Sequence, residues 1–206
     1  MVETRPYHHG DLRSALLTAA LEVLEEGGVA ALSLRGTAAR AGVSHAAPKH
    51  HFGNRKGLVT AIATIGYSRF AATMAEECAR SAQNPLGQVR AINRGYVKFA
   101  LQNKAIFRLM FSRDHYDQDN LELAQAACRA FTLLEETSRS VARALGVVEA
   151  DAWRDIANLI WTTVHGYAHL LIDGRLVNRE TGEPEPIPDI GRLLFEGFIG
   201  TGRKAG

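Results

Sequence analysis

The sequence predicts an all-α protein, with a small N-terminal head of three helices joined by a long helix to a larger helical domain. Three observations predict it. Apolar residues recur at helical spacing through nearly all of the 206 residues, with no strand alternation and no internal repeat. Ser33 to Phe52, SLRGTAARAGVSHAAPKHHF, reads as two short helices joined by a glycine turn, a helix-turn-helix. The breaks at Gly27-Gly28, Gly42, Gly53-Asn54 and Asn84-Pro85 are residues that stop one helix and start the next. The expected division is residues 1–58 for the head and 59–206 for the second domain.

The first helix carries Leu12, Ala15, Leu16, Ala19, Ala20, Val23 and Leu24 as an apolar stripe that ends at Gly27-Gly28. Ser33 can cap the second, whose apolar face is Leu34, Ala38 and Ala41, and Gly42 supplies the positive φ that leaves it. Ser44 is placed to cap the third, with His45, Ala46, Ala47, Lys49 and His50 exposed and Phe52 turned to the core. Small residues first and donors after suit close approach to base edges and phosphates. Pro48 falls near the first turn, so a short or kinked helix is expected. Asn54 then caps a long helix over 54–82, with Arg55 and Lys56 at its positive end, where an adjacent anion would relieve the repulsion. Further helices are predicted at 86–103, 104–113, 120–145, 150–172 and 189–199, with a loop at 173–188.

The segment from about Gly10 to Ile65 resembles the DNA-binding domain of the tetracycline-repressor (TetR) family. The matching residues are the glycine-ended first helix, Ser-Leu-Arg, Ala-Gly-Val-Ser at the turn, and His-Phe followed by Asn-Arg-Lys-Gly-Leu. Leu159 to Gly166, LIWTTVHG, resembles the Trp-His-Gly signature of one C-terminal ligand-domain subgroup in that family. The resemblance implies a cytoplasmic bacterial regulator, most simply a repressor released from double-stranded operator DNA by a small-molecule effector. Ser44, His45, Ala46, Ala47, Lys49, His50 and His51 would meet the groove and its phosphates, while Ser33, Arg35, Thr37 and Lys56 would position the DNA backbone. Family members usually carry Tyr where Lys49 stands, so a charged contact replaces an aromatic one. A homodimer through the last two helices is expected from their apolar faces and from the family.

Composition is that of an ordinary globular chain, 46% hydrophobic and 22% charged, with a formal charge of +2. The whole surplus lies before position 59, and five of the eight histidines precede position 52. Cys78 and Cys128 lack metal-ligand spacing and are expected to be buried and inert. No apolar run is read as a membrane span and no signal-peptide core is seen.

Tyr67, Phe70, Met74, Tyr96, Phe99, Phe107, Met110, Phe111 and Trp161 can line an effector cavity in the second domain or simply pack its core. His165 can bind a ligand or belong to a buried network. The rival readings are a metal-sensing regulator and a helical metal-dependent enzyme, since His165 and His169 share a helix face and Asp114, His115 and Asp117 could complete a site. Against catalysis, Gly166 stands where a metalloprotease needs Glu. No phosphate loop, nucleophile elbow or cofactor motif is present either.

Overall fold

A computed structural model describes residues 9–147, 149, 151–183 and 186–193, with side chains described from Leu12 onward. Among the described residues the chain is helical and without strands: α1 His9–Ala31, α2 Leu34–Ala41, α3 Ala47–Phe52, α4 Arg55–Ala79, α5 Pro85–Gln102, α6 Lys104–Met110, α7 Leu121–Ala144 and α8 Ala152–Ile172. They fall into two compact units, one drawn from Met1–Tyr67 with Lys104–Ala126, the other from Ser68–Asn103 with Ala127–Gly206.

In the first unit α1 packs against α2, α3 and α6. Leu16, Leu17, Ala19, Ala20 and Leu24 are buried while Ala15 is exposed, because a helix covered by several neighbours buries a wider and slightly rotated arc than one stripe suggests. Gly28, at φ 67° and ψ −171°, breaks α1 before its last turn. Ser33 is extended and its Oγ accepts from the Gly36 amide at 3.0 Å, as its place before Leu34 predicts. Gly42 leaves α2 at φ 67° and ψ 31°, with its own amide donating to Ala39 O and that of Val43 to Ala38 O, a Schellman closure.

Helix α3 begins at Ala47, later than expected, because Ser44 Oγ accepts from the Ala46 amide at 3.3 Å and closes a turn of its own. Pro48 is then its second residue, where the missing amide hydrogen has no intrahelical partner to lose. The helix is six residues long, with Pro48 and Phe52 buried. Asn54 Oδ1 caps α4 by accepting from the Gly57 amide at 3.0 Å.

The boundary expected at 58/59 falls inside α4, and the unit holding the helix-turn-helix takes in α6 as well. The reason is apolar: Ile106, Phe107, Leu109 and Met110 of α6 are buried, and α6 packs on α1. Gly66 permits the approach, since a Cβ there would lie 2.7 Å from Met110 Sδ.

In the second unit α5 starts on an Asn84 cap with Pro85 at its first position, and packs on α8. Val89, Val141, Ala142, Ile156, Ile160 and Ile190 form its core, with Trp153 half-buried at the edge under the Arg139 guanidinium, 3.8 Å from the ring centroid. Residues 190–193 form the start of the predicted last helix, whose Leu194 and Phe198 lie outside the described residues.

Two expectations need correction. Cys78 is buried but Cys128 is exposed, because the inward stripe of α7 runs through Leu123, Ala126, Ala130, Thr137 and Val141 and leaves position 128 outside. Helix α4 has 25 residues and contains an 18-residue stretch of mean hydropathy 1.2, long and apolar enough by length and composition to cross a membrane. Protein already covers its Leu58, Val59, Ile62, Ala63, Tyr67, Phe70 and Met74, as in a core helix.

Candidate nucleic-acid interface and aromatic cluster

The buried side of the α2–α3 pair fixes what the other side shows. With Ala38, Pro48 and Phe52 inside, Ser33, Arg35, Ser44, His45, Ala46, Lys49 and His50 are exposed, and Ala47 and His51 are half-buried at the edge. Most of the residues expected to meet DNA are thus exposed. Donors dominate among them, and cationic side chains and hydroxyls are what phosphate oxygens and base edges recruit. His50 and His51 pack edge to face at 5.4 Å. Beneath them, Arg13 of α1 stacks over Phe52 at 5.6 Å.

Thr37 departs from its expected role. It is 0% exposed, and its Oγ1 is buried without a hydrogen-bond partner, so it cannot reach a phosphate. Its neighbour Ala38 is 0% exposed as well, so this stretch of α2 is turned inward. Nor is the positive charge of Arg55 and Lys56 left unanswered, contrary to expectation. Arg55 donates from Nε to Leu32 O at 2.7 Å and from Nη2 to Val29 O at 2.6 Å, answering carbonyls at the negative end of α1. Lys56 lies 3.4 Å from Asp117 Oδ1. Arg40 of α2 grips Glu22 and Glu26 of α1, which fixes α2 against its scaffold.

The nine residues offered for an effector cavity divide between the units. Tyr67, Phe107, Met110 and Phe111 belong to the first: the Tyr67 hydroxyl donates to Met110 O at 3.0 Å, and Phe111 packs on Tyr67 at 6.2 Å and on Phe107 at 5.0 Å. These four pack within the first unit. The second unit brings together Phe70, Tyr96 and Phe99, with Phe70 at 4.8 Å and 5.2 Å from the other two rings, and Met74 is buried on the same helix as Phe70.

Tyr96 Oη and His165 Nδ1 are 2.7 Å apart, and Trp161 and His169 pack on the imidazole at 6.1 Å and 4.5 Å. Burial, with His169 beside it, pushes the His165 pKa down to about 4, so the ring is neutral at ordinary pH. Phe131 stacks edge-on against Trp161 at 5.3 Å and completes the cluster. Sequence reasoning missed Phe131, because only the fold sets α7 against α8. Among the described residues no three His, Cys, Asp or Glu side chains come together as a metal site would require.

Comparison with known proteins agrees with this layout. Residues 16–62 match the model for bacterial regulatory proteins of the tetR family, and residues 89–189 match a tetracyclin repressor-like C-terminal domain. A solved protein with unknown function from Rhodococcus sp. RHA1 is 31% identical, with 96% of this chain and 98% of that one covered and a TM-score of 0.77. The chain is also similar in fold to a TetR-like transcriptional regulator from Rhodococcus sp. RHA1, at 16% identity, 97% and 100% coverage and TM-score 0.64. For the TetR family transcriptional regulator PfmR from Thermus thermophilus the values are 16%, 89% and 96%, and 0.59. None of the curated proteins compared with the chain matches it. A helix-turn-helix presenting exposed donors, followed by a helical domain whose residues 89–189 match the family's own, makes this chain a member of the TetR family of DNA-binding transcriptional regulators.

Proposed function

We propose that the protein is a homodimeric repressor whose hold on operator DNA is loosened when a small molecule occupies the aromatic cluster of the second unit. The observation that carries the DNA half is α3 with the turn before it: Pro48 and Phe52 are its buried anchor, and His45, Lys49 and His50 stand exposed. His45, Ala46, Ala47 and His50 meet base edges, while Ser33, Arg35, Ser44, Lys49, His51 and Lys56 hold phosphates. Dimerisation rests on α8, where Leu159, Thr162, Gly166 and Leu170 share one outward face, Leu159 and Leu170 being 48% and 42% exposed. A Cβ at Gly166 would touch nothing within 4 Å, so a second helix can approach closely there. The site of action is the bacterial cytoplasm, and the chain binds without catalysing.

The effector half rests on the neutral His165–Tyr96 pair walled by Phe70, Phe99, Phe131 and Trp161. A partly desolvated polar pair among aromatic rings is what orients a mostly apolar ligand carrying one hydrogen-bonding group. Two experiments test the reading. Footprinting of duplexes selected from a random pool should show two half-sites about one helical turn apart, or a modest multiple; a single half-site bound by a monomer contradicts it. Thermal shift against a metabolite library should then find a ligand that weakens DNA binding, and DNA must weaken that ligand's binding by the same factor.

A further inference from the structure

We propose that Asp117 is a built-in competitor for the DNA phosphate at Lys56, and so sets the affinity of the head for DNA from outside the recognition helix. The proposal rests on the reading that Lys56 contacts the DNA backbone. Asp117 lies 61 residues from Lys56 in sequence, yet its Oδ1 is 3.4 Å from the ammonium. The contact is placed by the backbone. The Asp117 amide donates to Thr60 Oγ1 at 2.9 Å, and the Thr60 hydroxyl donates to Lys56 O at 2.7 Å, through a side chain only 4% exposed. The segment is fastened on either side as well: the Tyr116 hydroxyl donates to Met110 O at 2.6 Å, and Asn120 Oδ1 accepts from the Leu123 amide at 3.0 Å.

The two partners therefore differ in freedom. The backbone at Asp117 is held by its loop and its short side chain is 47% exposed, while Lys56 ends a flexible stem and is 58% exposed. An exposed pair of this kind is weak enough to exchange for a phosphate with little loss. When Lys56 turns to DNA, Asp117 stays beside it as a like charge to the incoming phosphate, and part of the attraction is cancelled. Both line a crevice of about 310 Å³ on the first unit that also holds Arg13, His51 and Glu122. Glu122 provides a control, a carboxylate on the same crevice placed by a different element.

The test uses the full-length protein with a duplex recovered by selection from a random pool and an unrelated duplex of equal length, read by anisotropy across a salt series. Asp117→Asn is expected to tighten binding to both duplexes about three- to tenfold at low salt, with the gain shrinking as salt rises. Glu122→Gln should give a smaller gain, and in a Lys56→Gln background Asp117→Asn should do no more than Glu122→Gln does. Thr60→Val, which keeps the charge and releases its anchor, should recover part of the gain. An Asp117→Asn protein no tighter than Glu122→Gln, a full gain without Lys56, or no gain in Thr60→Val overturns the proposal. If Lys56→Gln alone leaves DNA binding and its salt slope unchanged, it is the DNA-contact reading of Lys56 that fails.

Discussion

The two units of this chain use polar groups in opposite ways. In the first, Arg35, His45, Lys49 and His50 stand in water on a scaffold whose only orphaned buried side-chain oxygen, among the described residues, is Thr37 Oγ1. In the second, Tyr96 is buried and His165 half-buried, and the two are hydrogen-bonded to each other among aromatic rings. A surface that must exchange solvent for phosphate keeps its charges hydrated until contact; a site that orients a small molecule desolvates its polar groups beforehand. Exposure and register thus mark the DNA-facing side of the first unit, whereas a neutral, hydrogen-bonded pair marks the second.

The largest effect expected from breaking this contrast is on stability in acid. His165 is held at about 4 in the folded chain against 6.5 as its ordinary value, so the unfolded chain binds the proton more readily. Stability is unaffected above pH 6.5, falls as the pH drops toward 4, and levels off below; the loss reaches roughly 3 kcal/mol at most. Denaturant melts between pH 7 and 4 check it, with His165→Gln expected to flatten that part of the profile. An identical slope in the variant assigns the acid sensitivity elsewhere.

Backbone approach separates the units next. A Cβ at Gly95 would sit 2.7 Å from Met74 Cα, whereas at Gly66 it would meet the thioether end of Met110, which can swing aside. Gly95→Ala should therefore destabilise by about 1–3 kcal/mol and Gly66→Ala by clearly less, read as melting temperatures. Equal shifts would show that Met110 is as immovable as a main chain.

Lys49→Ala should weaken binding to selected and unrelated duplexes alike and lower the salt slope by about one per subunit, with the melting temperature unchanged. A changed sequence preference at constant slope would make Lys49 a base reader. The smallest effect is expected at Thr37. Replacing its buried, unpartnered hydroxyl in Thr37→Val should be neutral or stabilising by up to about 1 kcal/mol, with DNA binding intact; weakened binding would restore the role its place in the motif suggested.

The sequence showed most clearly what is settled within a few residues. Ser33, Gly42 and Asn54 announce caps and a turn, and each does in the structure what its type and place demand. Pro48 foretold a short α3. Relations across the chain were not legible. That α6 returns to α1, that Phe131 reaches Trp161, and that Asp117 stands beside Lys56 depend on tertiary packing with no local signal. Thr37 was misjudged for a related reason. Alone in sequence it is a polar residue in a polar motif, and only the packing around α2 turns it inward.

The central claim is that the exposed side of α2 and α3 binds DNA while the Tyr96–His165 pair of the second unit takes no part in that contact. Anisotropy titration of one selected duplex with the parent protein, Arg35→Ala/Lys49→Ala and Tyr96→Phe/His165→Gln tests it most directly. The account predicts a loss of at least about tenfold in the first double variant and unchanged ligand-free affinity in the second. Full affinity without Arg35 and Lys49, or a comparable loss without the Tyr96–His165 pair, would contradict it.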